Sequence, residues 1–510
     1  MQIVSREAMQ AMDRHAIDCV GIDEKILMEN AGRAVFQSLA SDLRNERKIG
    51  VVIGKGNNGG DGLVIARYIY DRESPLDVWL VPERQEITGI AAVQLSVYEK
   101  AGGSVRFINE EGWEAFRQAA GQWTIAIDCL LGTGFQGAPR PLYLDVIQLI
   151  NRLDIRVISV DLPSGVPANG GNFDHEAVRA SLTLTLQCPK IAQFTFPAAN
   201  FYGATEVLDI GIPKKSIREN TENRRVWNEV DVKKSLPIRA RSSHKSSHGR
   251  GLILAGEMLM SGAAVLAIRA ASRAGAGLVA AGVPEAIRTI VGSQAVEATF
   301  DDHDYADASV AKENLPRYDA VAFGQGAGRD VKTEKTLLTL LKTCPRPLVI
   351  DADGLFYLKK YAPLLTERQA PTILTPHSGE MARLLGKTAE AVENDRFGLS
   401  LHYATSHNVY LVLKGPYTIV TTPDGRQFVN TTGNPGLAKG GTGDVLTGIL
   451  LAFLMQHRDV ASAICNAVYV HGHAADRLFK EGVSSLSILP SDIVNALPGV
   501  LFDLQKDTIC

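Results

Sequence analysis

The sequence has few cysteines and arranges none of them as a closely spaced pair. Six occur in 510 residues, and no C-x-x-C motif is present: Cys19, Cys129, Cys188, Cys344, Cys465 and Cys510. Disulfide-bonded secreted scaffolds and structural zinc sites both need paired spacings, so this pattern excludes them. We expect free thiols in a reducing, cytoplasmic environment.

The sequence has no large excess of charge of either sign, and it has no long hydrophobic runs. The 53 basic and 56 acidic residues leave a net charge of −3, which provides no general attraction to nucleic acid or anionic membranes. Apolar stretches such as 445–456 fall short of the ~20 residues of a membrane span. The charged segment 1–15 lacks a signal-peptide core. We expect an enzyme with no nucleic-acid or membrane partner.

Glycine, in contrast, is abundant and follows short β-branched runs. It accounts for 47 of 510 residues, above the typical ~7%. Runs such as Ile49–Gly54 and Val157–Asp161 lack polar alternation, as strands of a buried parallel sheet do. Helical patterns such as Leu63–Tyr70 and Ala91–Ala101 separate them, and the chain length suits two domains of ~100–200 residues. The sequence predicts two α/β domains with doubly wound sheets, residues 1–222 and 223–510.

The junction between the domains is predicted within a charged stretch, residues 214–250. It contains eleven basic and four acidic residues, and we interpret it as a solvated connector. The alternative is that its end, around His244 and Lys245, reaches a ligand phosphate. Farther along, strands are predicted at residues 252–255, 320–323, 348–350, 372–374 and 409–413. Residues 411–425 predict antiparallel hairpins at a sheet edge, and 442–455 predict an apolar helix.

A glycine-rich loop in the first half, residues 54–62, lies between a predicted strand and a predicted helix. The spacing of Gly54, Gly56 and Gly59 matches the dinucleotide fingerprint, in which the backbone approaches a pyrophosphate at a helix N-terminus. The acidic residue usually found after the second strand has no clear equivalent besides Glu83. The loop therefore predicts dinucleotide binding of an unusual type, with a sharp ligand-free turn as the alternative.

Two further strands of the first half end in an aspartate. Asp128 and Asp161 each precede a glycine-containing loop, and in open α/β sheets such loops converge on one pocket. The side-chain oxygens of Asn58, Asp128 and Ser164 suit an alkali or alkaline-earth cation better than zinc. Taken singly, each aspartate could instead cap the loop that follows it.

A second glycine-rich segment, residues 434–444, leads directly into the apolar helix. Its backbone N–H groups predict an anion-binding site. The carboxylate of Asp444 beside this site would repel a phosphate, so its presence there indicates a catalytic role. We predict that Asp444 accepts the proton of a substrate hydroxyl that attacks a phosphoryl group; a plain helix cap is the alternative. No Walker A sequence occurs, because Met381 stands where Gly386-Lys387-Thr388 would need a glycine.

Three other turns of the second half follow predicted strands. The segment 414–418 is predicted to hold nucleotide phosphates through its lysine, which could equally be a surface residue. His377 and Glu380 offer hydrogen bonds to a polar ligand, or form a simple turn. Asp351 and Asp353 either bind magnesium at the site or cap the segment that follows them.

These motifs resemble those of two known families. The first half is similar to the NAD(P)HX epimerase domain in Met28–Gly32, Asn57–Gly62, Gly132–Gly134 and Asp161–Gly165. The second half is similar to the ribokinase-like NAD(P)HX dehydratase domain in His244-Lys245, Ala274–Gly277, Asp351–Asp353, Leu374–His377, Lys414-Gly415 and Gly441–Asp444. Together they resemble the bacterial bifunctional nicotinamide nucleotide repair family, in which the first domain is Rossmann-like.

The resemblance implies repair of reduced nicotinamide cofactors that have added water. The first domain would interconvert the R and S hydrates, NADHX and NADPHX. The second would dehydrate the S form at the expense of ADP, which yields NADH or NADPH, AMP and phosphate. The implied cofactors are K⁺ in the first domain and Mg²⁺ with ADP in the second, and we expect a homo-oligomer.

The resemblance also assigns site residues by position, and we predict Asp161 and Asp444 as catalytic. The implied epimerase substrate contacts are Asn57, Asn58, Gly59, Gly60, Asp61, Gly132, Thr133, Gly134, Phe135, Gln136, Gly137, Ala138 and Asp161, with K⁺ on Asn58, Asp128 and Ser164. The implied dehydratase contacts are Ala263, Gly326, His377 and Asp444 for the hydrate, and Lys414, Gly415, Pro416, Tyr417, Thr418 and Gly443 for the nucleotide. Two segments depart from the family: Gln325–Gly328 replaces Pro-Gly-Leu-Gly, and Ser246–His248 replaces a glycine-led stretch.

Two other functions fit parts of the pattern. A ribokinase-like kinase for a vitamin or sugar, with a regulatory first domain, would also use Asp444, but would leave phosphate on its product. A non-enzymatic assembly module would not need Asp128, Asp161 and the complete glycine loop, which are all retained.

Overall fold

The computed structural model describes residues 1–45 and 48–506 and contains two compact units. The first is Met1–Arg224 and the second begins at Arg225. Each unit has its own sheet flanked by helices, which confirms the predicted α/β class. Within the described ranges, no helix is both long and apolar enough to cross a membrane. Cys19, Cys129, Cys188, Cys344 and Cys465 are free thiols, and Cys510 lies outside the described residues.

The first unit contains a seven-stranded sheet in which all neighbouring strands are parallel. Its order is β3-β2-β1-β4-β5-β6-β7. Every residue of the interior strand β1 is buried, which explains its continuous apolar sequence. The strands are β1 Ile49–Ile53, β2 Leu76–Leu80, β3 Arg106–Phe107, β4 Ile125–Cys129, β5 Arg156–Val160, β6 Leu182–Leu186 and β7 Ala204–Leu208.

The described part of the first unit contains seven α-helices, and α1 continues into a π-helical turn, His15–Cys19. The helices are α1 Arg6–Arg14, α2 Glu24–Leu39, α3 Asn57–Tyr70, α4 Gly89–Lys100, α5 Trp113–Ala120, α6 Pro141–Arg152 and α7 Lys214–Asn220. Helix α3 begins inside the glycine-rich loop, six residues before the predicted helical pattern that starts at Leu63. The glycines there are explained by close packing, described below.

The second unit contains a ten-stranded sheet with the order β11-β10-β9-β12-β13-β14-β15-β16-β17-β8. Strands β9 to β15 pair in parallel, and β16 pairs antiparallel with both β15 and β17, as the predicted hairpins require. The strands are β8 Arg224–Val226, β9 Arg250–Leu254, β10 Leu278–Gly282, β11 Thr299–Phe300, β12 Ala320–Phe323, β13 Leu348–Ile350, β14 Thr372–Leu374, β15 Tyr410–Leu413, β16 Ile419–Thr421 and β17 Gln427–Val429.

Helix α19, Thr442–Gln456, is buried within the second unit and is apolar on nearly every side. A Cβ on its Gly448 would lie 2.1 Å from the carbonyl oxygen of Ala267 on α9, so the two helices touch backbone to backbone. The helices are α8 Glu229–Ser235, α9 Ser261–Arg273, α10 Arg288–Gln294, α11 Ala308–Asn314, α12 Val331–Thr343, α13 Asp353–Phe356, α14 Leu358–Tyr361, α15 Pro363–Glu367, α16 Ser378–Leu385, α17 Ala389–Asn394, α18 Arg396–His407, α19 Thr442–Gln456, α20 Val460–Lys480 and α21 Pro490–Gln505.

The charged stretch 214–250 is not the solvated connector that its composition predicts. It contains α7, β8 and α8, and β8 is the edge strand beside β17. Trp227 is buried, and its indole Nε1 donates to Asn466 Oδ1 at 2.9 Å. Most residues of the segment are charged or polar, so its composition resembles that of a connector. A few apolar side chains in it are buried, and they hold the segment in the folded units.

Candidate active sites

A cavity of about 580 Å³ lies in the first unit beyond the carboxyl ends of β1 and β4. These strands are neighbours in the sheet, although β2 and β3 lie between them in the chain. The strand order therefore reverses at this point, which is where open α/β sheets bind ligands. Loops after β1, β4 and β5 all contribute to the wall, as predicted from the glycine-rich segments.

Most of the first-half residues assigned by resemblance line this cavity. The lining includes Asn57, Asn58, Asp61, Gly132, Thr133, Gly134, Phe135, Gln136, Ala138 and Asp161. Gly59, Gly60 and Gly137 are not part of it. A Cβ on Gly59 would lie 2.0 Å from the Gly54 carbonyl oxygen, and one on Gly60 would lie 2.5 Å from Met28 Sδ. Those two glycines allow α3 to pack closely against neighbouring elements.

A cluster of oxygen ligands lies beneath the loops of the cavity. Asp128 is fully buried, and its carboxylate accepts hydrogen bonds from Ser164 Oγ at 2.5 Å and Ser164 N at 2.9 Å. Burial raises the pKa of Asp128, and these hydrogen bonds oppose the rise. Asn58 Nδ2 donates to the Leu131 carbonyl at 3.0 Å, whereas the buried Asn58 Oδ1 has no hydrogen-bond partner among the described residues.

Asp161 is held in the cavity wall by a lysine that the motifs do not identify. Lys190 is completely buried and forms an ion pair with Asp161 Oδ1, and its Nζ also donates to the Leu186 carbonyl at 3.0 Å. The backbone N–H of Leu186 donates to the same Asp161 oxygen at 3.2 Å. Asp161 has a positive φ of 71°. This carboxylate is thus fixed in position and paired with a buried cation.

Two more carboxyl groups line the same cavity near this ion pair. Burial raises the pKa of Asp13 to about 6, with further increases from Asp161 and Glu24 and an opposing effect of Lys190. Burial, together with Asp161 and Asp13, raises the pKa of Asp61 well above its usual value. Sequence reasoning missed Asp13, because it lies on α1 outside every recognised motif.

In the second unit, Lys414 and Asp351 form the centre of the candidate site. Lys414 Nζ donates to Asp351 Oδ1 at 2.9 Å and lies 3.9 Å from Glu380 Oε2. Thr447 on α19 donates to the other Asp351 oxygen at 3.0 Å. A Cβ on Gly443 would lie 3.5 Å from Lys414 Nζ. The candidate site is thus formed where the carboxyl ends of β13 and β15 meet the first turns of α16 and α19.

Asp444 lies in the first turn of α19, partly exposed beside this group. Burial raises its pKa to about 7, with further increases from Asp351 and Asp353 and an opposing effect of Lys414. Burial by itself lowers the pKa of Lys414, but attraction to Asp351, Glu380 and Asp444 outweighs it, so the pKa is raised. A carboxyl that titrates near neutrality beside a stable ammonium group suits general-base chemistry at a phosphate site.

The remaining predicted contacts of the second unit occupy turns around this centre. Gly326 adopts a positive φ of 57°, and a Cβ there would lie 3.1 Å from Ala263 Cβ, so these two residues are neighbours. His377 caps α16: its Nδ1 accepts from Gly379 N at 3.0 Å, and its own N–H donates to Glu380 Oε2 at 2.8 Å. The departure residue Gln325 is buried, and its Oε1 has no hydrogen-bond partner in the described chain.

The predicted nucleotide loop, residues 414–418, is held by an arginine that sequence reasoning also missed. Arg396 is 2% exposed and donates from Nη2 to the carbonyls of Leu413, Lys414 and Tyr417 at 3.1, 3.2 and 3.3 Å. Its Nη1 pairs with Glu393 at 3.0 Å. The guanidinium therefore holds the backbone of the loop that contains Lys414.

Gly415→Ala is expected to displace this loop. A Cβ there would lie 2.6 Å from Arg396 Nη2, and the guanidinium cannot retreat without breaking its bonds to the loop. We expect a loss of ~1–3 kcal/mol in free energy of unfolding, and a KM for nucleotide raised ~10-fold per 1.4 kcal/mol of lost binding. Denaturant unfolding and dehydration kinetics test this; Gly121→Ala, whose Cβ would meet only ordinary contacts at 3.6 Å, is the control. An unchanged KM would contradict it.

Comparisons with known proteins cover both units. A family model described as YjeF-related protein N-terminus matches residues 24–192, and one described as NAD(P)H-hydrate dehydratase matches residues 251–499. A bifunctional NAD(P)H-hydrate repair enzyme of Moorella thermoacetica is 36% identical over 99% of this chain and 98% of its own length. The corresponding protein of Thermofilum pendens is 34% identical over 99% and 97%.

One solved structure extends the comparison to the fold of the second unit. The ADP/ATP-dependent NAD(P)H-hydrate dehydratase of Bacillus subtilis, co-crystallised with ATP/Mg²⁺, is 34% identical. The match covers 55% of this chain and 98% of that one, with a TM-score of 0.50. The resemblance drawn from the motifs is confirmed, and the chain belongs to the family of bifunctional NAD(P)H-hydrate repair enzymes.

Proposed function

We propose that this chain restores NADH and NADPH from their hydrates in two reactions. The first unit interconverts R and S hydrates, and the second dehydrates the S form with ADP, which yields AMP and phosphate. Family membership over the whole chain supports both activities. The observation that carries the proposal is the group formed by Asp444, Lys414 and Asp351 at the start of α19, where a neutral-range base adjoins a fixed ammonium.

In the second unit, Asp444 takes the proton of the hydrate's hydroxyl group while the hydroxyl oxygen attacks the β-phosphorus of ADP. The new O–P bond forms, the bond to the α-phosphate oxygen breaks, and AMP leaves. The C–O bond then breaks, and phosphate departs with its electron pair. Water takes up a proton from the adjacent ring carbon, and the electron pair of that C–H bond re-forms the double bond. Lys414 and the N–H groups of α19 offset the phosphate charge. Phosphorylation thereby turns a poor leaving group into a good one.

Magnesium fits this site because its carboxylates are hard oxygen ligands. Asp351 and Asp353 are both nearly buried, and each retains oxygen lone pairs despite its hydrogen bonds. We propose that these two residues hold Mg²⁺ together with the nucleotide phosphates, as the metal co-crystallised with ATP in the Bacillus subtilis relative suggests. Bound Mg²⁺ would neutralise charge on the phosphoryl group during transfer.

In the first unit, we propose that Asp161 gives acid–base assistance to epimerisation. The cavity carries both kinds of charge: Asp13, Asp61 and Asp161 among its acidic residues, and Lys55 and Arg140 as basic ones. The basic side chains suit the phosphates of the dinucleotide, and the aspartates suit proton transfer at the hydrated ring. Substrates of either form, NADHX or NADPHX, contain both features.

The oxygen cluster of the first unit fits a weakly bound alkali cation, and we propose K⁺ on Asn58, Asp128 and Ser164. The unpartnered Asn58 Oδ1 is the atom that such an ion would satisfy. We expect Asn58→Leu to abolish any dependence of epimerisation on K⁺, measured against choline at equal ionic strength. Asn200→Leu, at an exposed position, should keep the wild-type response. A K⁺ response retained in Asn58→Leu would contradict the assignment.

The fate of the phosphoryl group tests this function against a small-molecule kinase. Phosphorus NMR of a completed reaction with S-NADHX and ADP should show AMP and inorganic phosphate in equal amounts. A stable phosphorylated product would instead establish a kinase.

A further inference from the structure

Three carboxyl groups and one ammonium group meet at one end of the first-unit cavity. Asp13 on α1, Asp61 on α3 and Asp161 after β5 line the cavity, and the buried Lys190 lies behind Asp161. Asp13 precedes residue 24, where the match to the first family model begins. The established motifs therefore do not account for this carboxyl group.

The charges of this cluster do not balance if every group is ionised. Three carboxylates against one ammonium would leave two uncompensated negative charges on buried or half-buried side chains, which is costly. Lys190 and the Leu186 N–H bind Asp161 and offset its charge. The remaining unfavourable charge falls on Asp13 and Asp61, whose pKa values are both raised.

Of these two, Asp13 is the group able to exchange its proton near neutrality. Asp161 and Glu24 face it with negative charge, while Lys190 and Arg14 face it with positive charge. Burial and this surrounding charge raise the pKa of Asp13 to about 6. Asp61, whose pKa is raised well above its usual value by burial, lies beside Asp13 as a neutral carboxyl group.

We propose that Asp13 is a second catalytic residue of the epimerase site, which donates a proton to the departing hydroxyl while Asp161 accepts one from the adding water. Lys190 is a positioning residue that holds the Asp161 side chain in the cavity wall. The inference rests on the epimerase activity proposed above. Inversion of a carbon that bears a hydroxyl needs a proton donor for the departing oxygen and a proton acceptor for the adding water. The cavity wall provides one of each.

The proposed step balances without any oxidant or reductant. The C–O bond of the hydrate breaks, its electron pair goes to oxygen, and the Asp13 proton completes a water molecule. The lone pair of the ring nitrogen forms a C=N bond with the same carbon. Water then adds to the opposite face, Asp161 takes its proton, and the C=N pair returns to nitrogen. The enzyme is left with Asp161 protonated and Asp13 ionised, which is the state that catalyses the reverse inversion.

Asp13→Asn in the full chain tests the proposal, with R-NADHX as substrate and no nucleotide, so that only interconversion is observed by chromatography. We expect kcat to fall ~10²–10⁴-fold with KM within a few-fold of wild type. The melting temperature should stay equal or rise, because a carboxyl facing like charges is removed. Asp18→Asn, an exposed change one turn away, is the control and should match wild type. A purely structural role would lower the melting temperature instead.

Two outcomes would overturn the inference while leaving the proposed function intact. One is an Asp13→Asn variant that keeps kcat within about threefold of wild type. The other needs no variant: in ¹⁸O-labelled water, the wild-type protein should incorporate one labelled oxygen per inversion, and inversion without label would exclude the step. Absence of interconversion in the wild-type protein itself would refute the epimerase activity, so the two failures are distinguishable.

Discussion

Asp444→Asn is expected to abolish dehydration of S-NADHX and to leave the interconversion of the hydrates at its wild-type rate. Loss of a general base costs ~10²–10⁴-fold in rate, and the second activity belongs to the other unit. The variant should fold normally. Asp444 is surrounded by the negative charges of Asp351 and Asp353, and its raised pKa means that ionisation there opposes folding at neutral pH.

The pH dependence of dehydration gives the same claim an independent test. The base must be ionised, and its pKa is about 7, so the wild-type rate should drop about tenfold per pH unit below that value and level off above it. Asp302→Asn, an exposed carboxylate in the same unit, is the control and should keep both the rate and the profile. An Asp444→Asn protein that dehydrates at more than a tenth of the wild-type rate would contradict the assignment.

Asp161→Asn is expected to eliminate epimerisation while dehydration of pure S-NADHX continues unchanged. Asparagine tolerates the positive φ at this position, so the backbone should persist. The buried Lys190, however, loses its partner, and breaking a buried pair from one side typically costs ~3–5 kcal/mol. We expect a lower melting temperature for the first unit together with a ~10²–10⁴-fold lower epimerase kcat.

A double variant separates the chemistry from the stability. Asp161→Asn combined with Lys190→Met removes both charges, so the melting temperature should recover towards the wild-type value. Epimerisation should not recover, because the carboxylate that is fixed at position 161 to take the proton is absent. If the double variant regained activity along with stability, Asp161 would be a structural residue.

Much of the fold follows from local sequence patterns. The predicted strands 320–323 and 348–350 coincide with β12 and β13, which are short apolar runs buried along their whole length. Strand β10 was not predicted, because its Leu-Val-Ala-Ala-Gly sequence continues an alanine- and glycine-rich stretch that carries no strand signal of its own. The start of α3 was misplaced because glycines that disfavour helices locally are retained there for packing.

The candidate sites were predictable only where a loop carries a motif. The resemblance indicated Asp161, Lys414 and Asp444 on that basis. Lys190 and Arg396 act on those loops from 29 and 18 residues away, and neither lies in a recognisable motif. Such long-range pairs depend on how strands and helices are brought together, which one sequence does not specify.

Recovery of reduced-nicotinamide absorbance from a mixture of R and S NADHX tests the whole account most directly. With the full chain, Mg²⁺, K⁺ and ADP, we predict complete recovery, because the first unit converts the R form into the S form that the second unit consumes. Recovery that stops at the S fraction would contradict epimerisation, and no recovery with either ADP or ATP would contradict the account entirely.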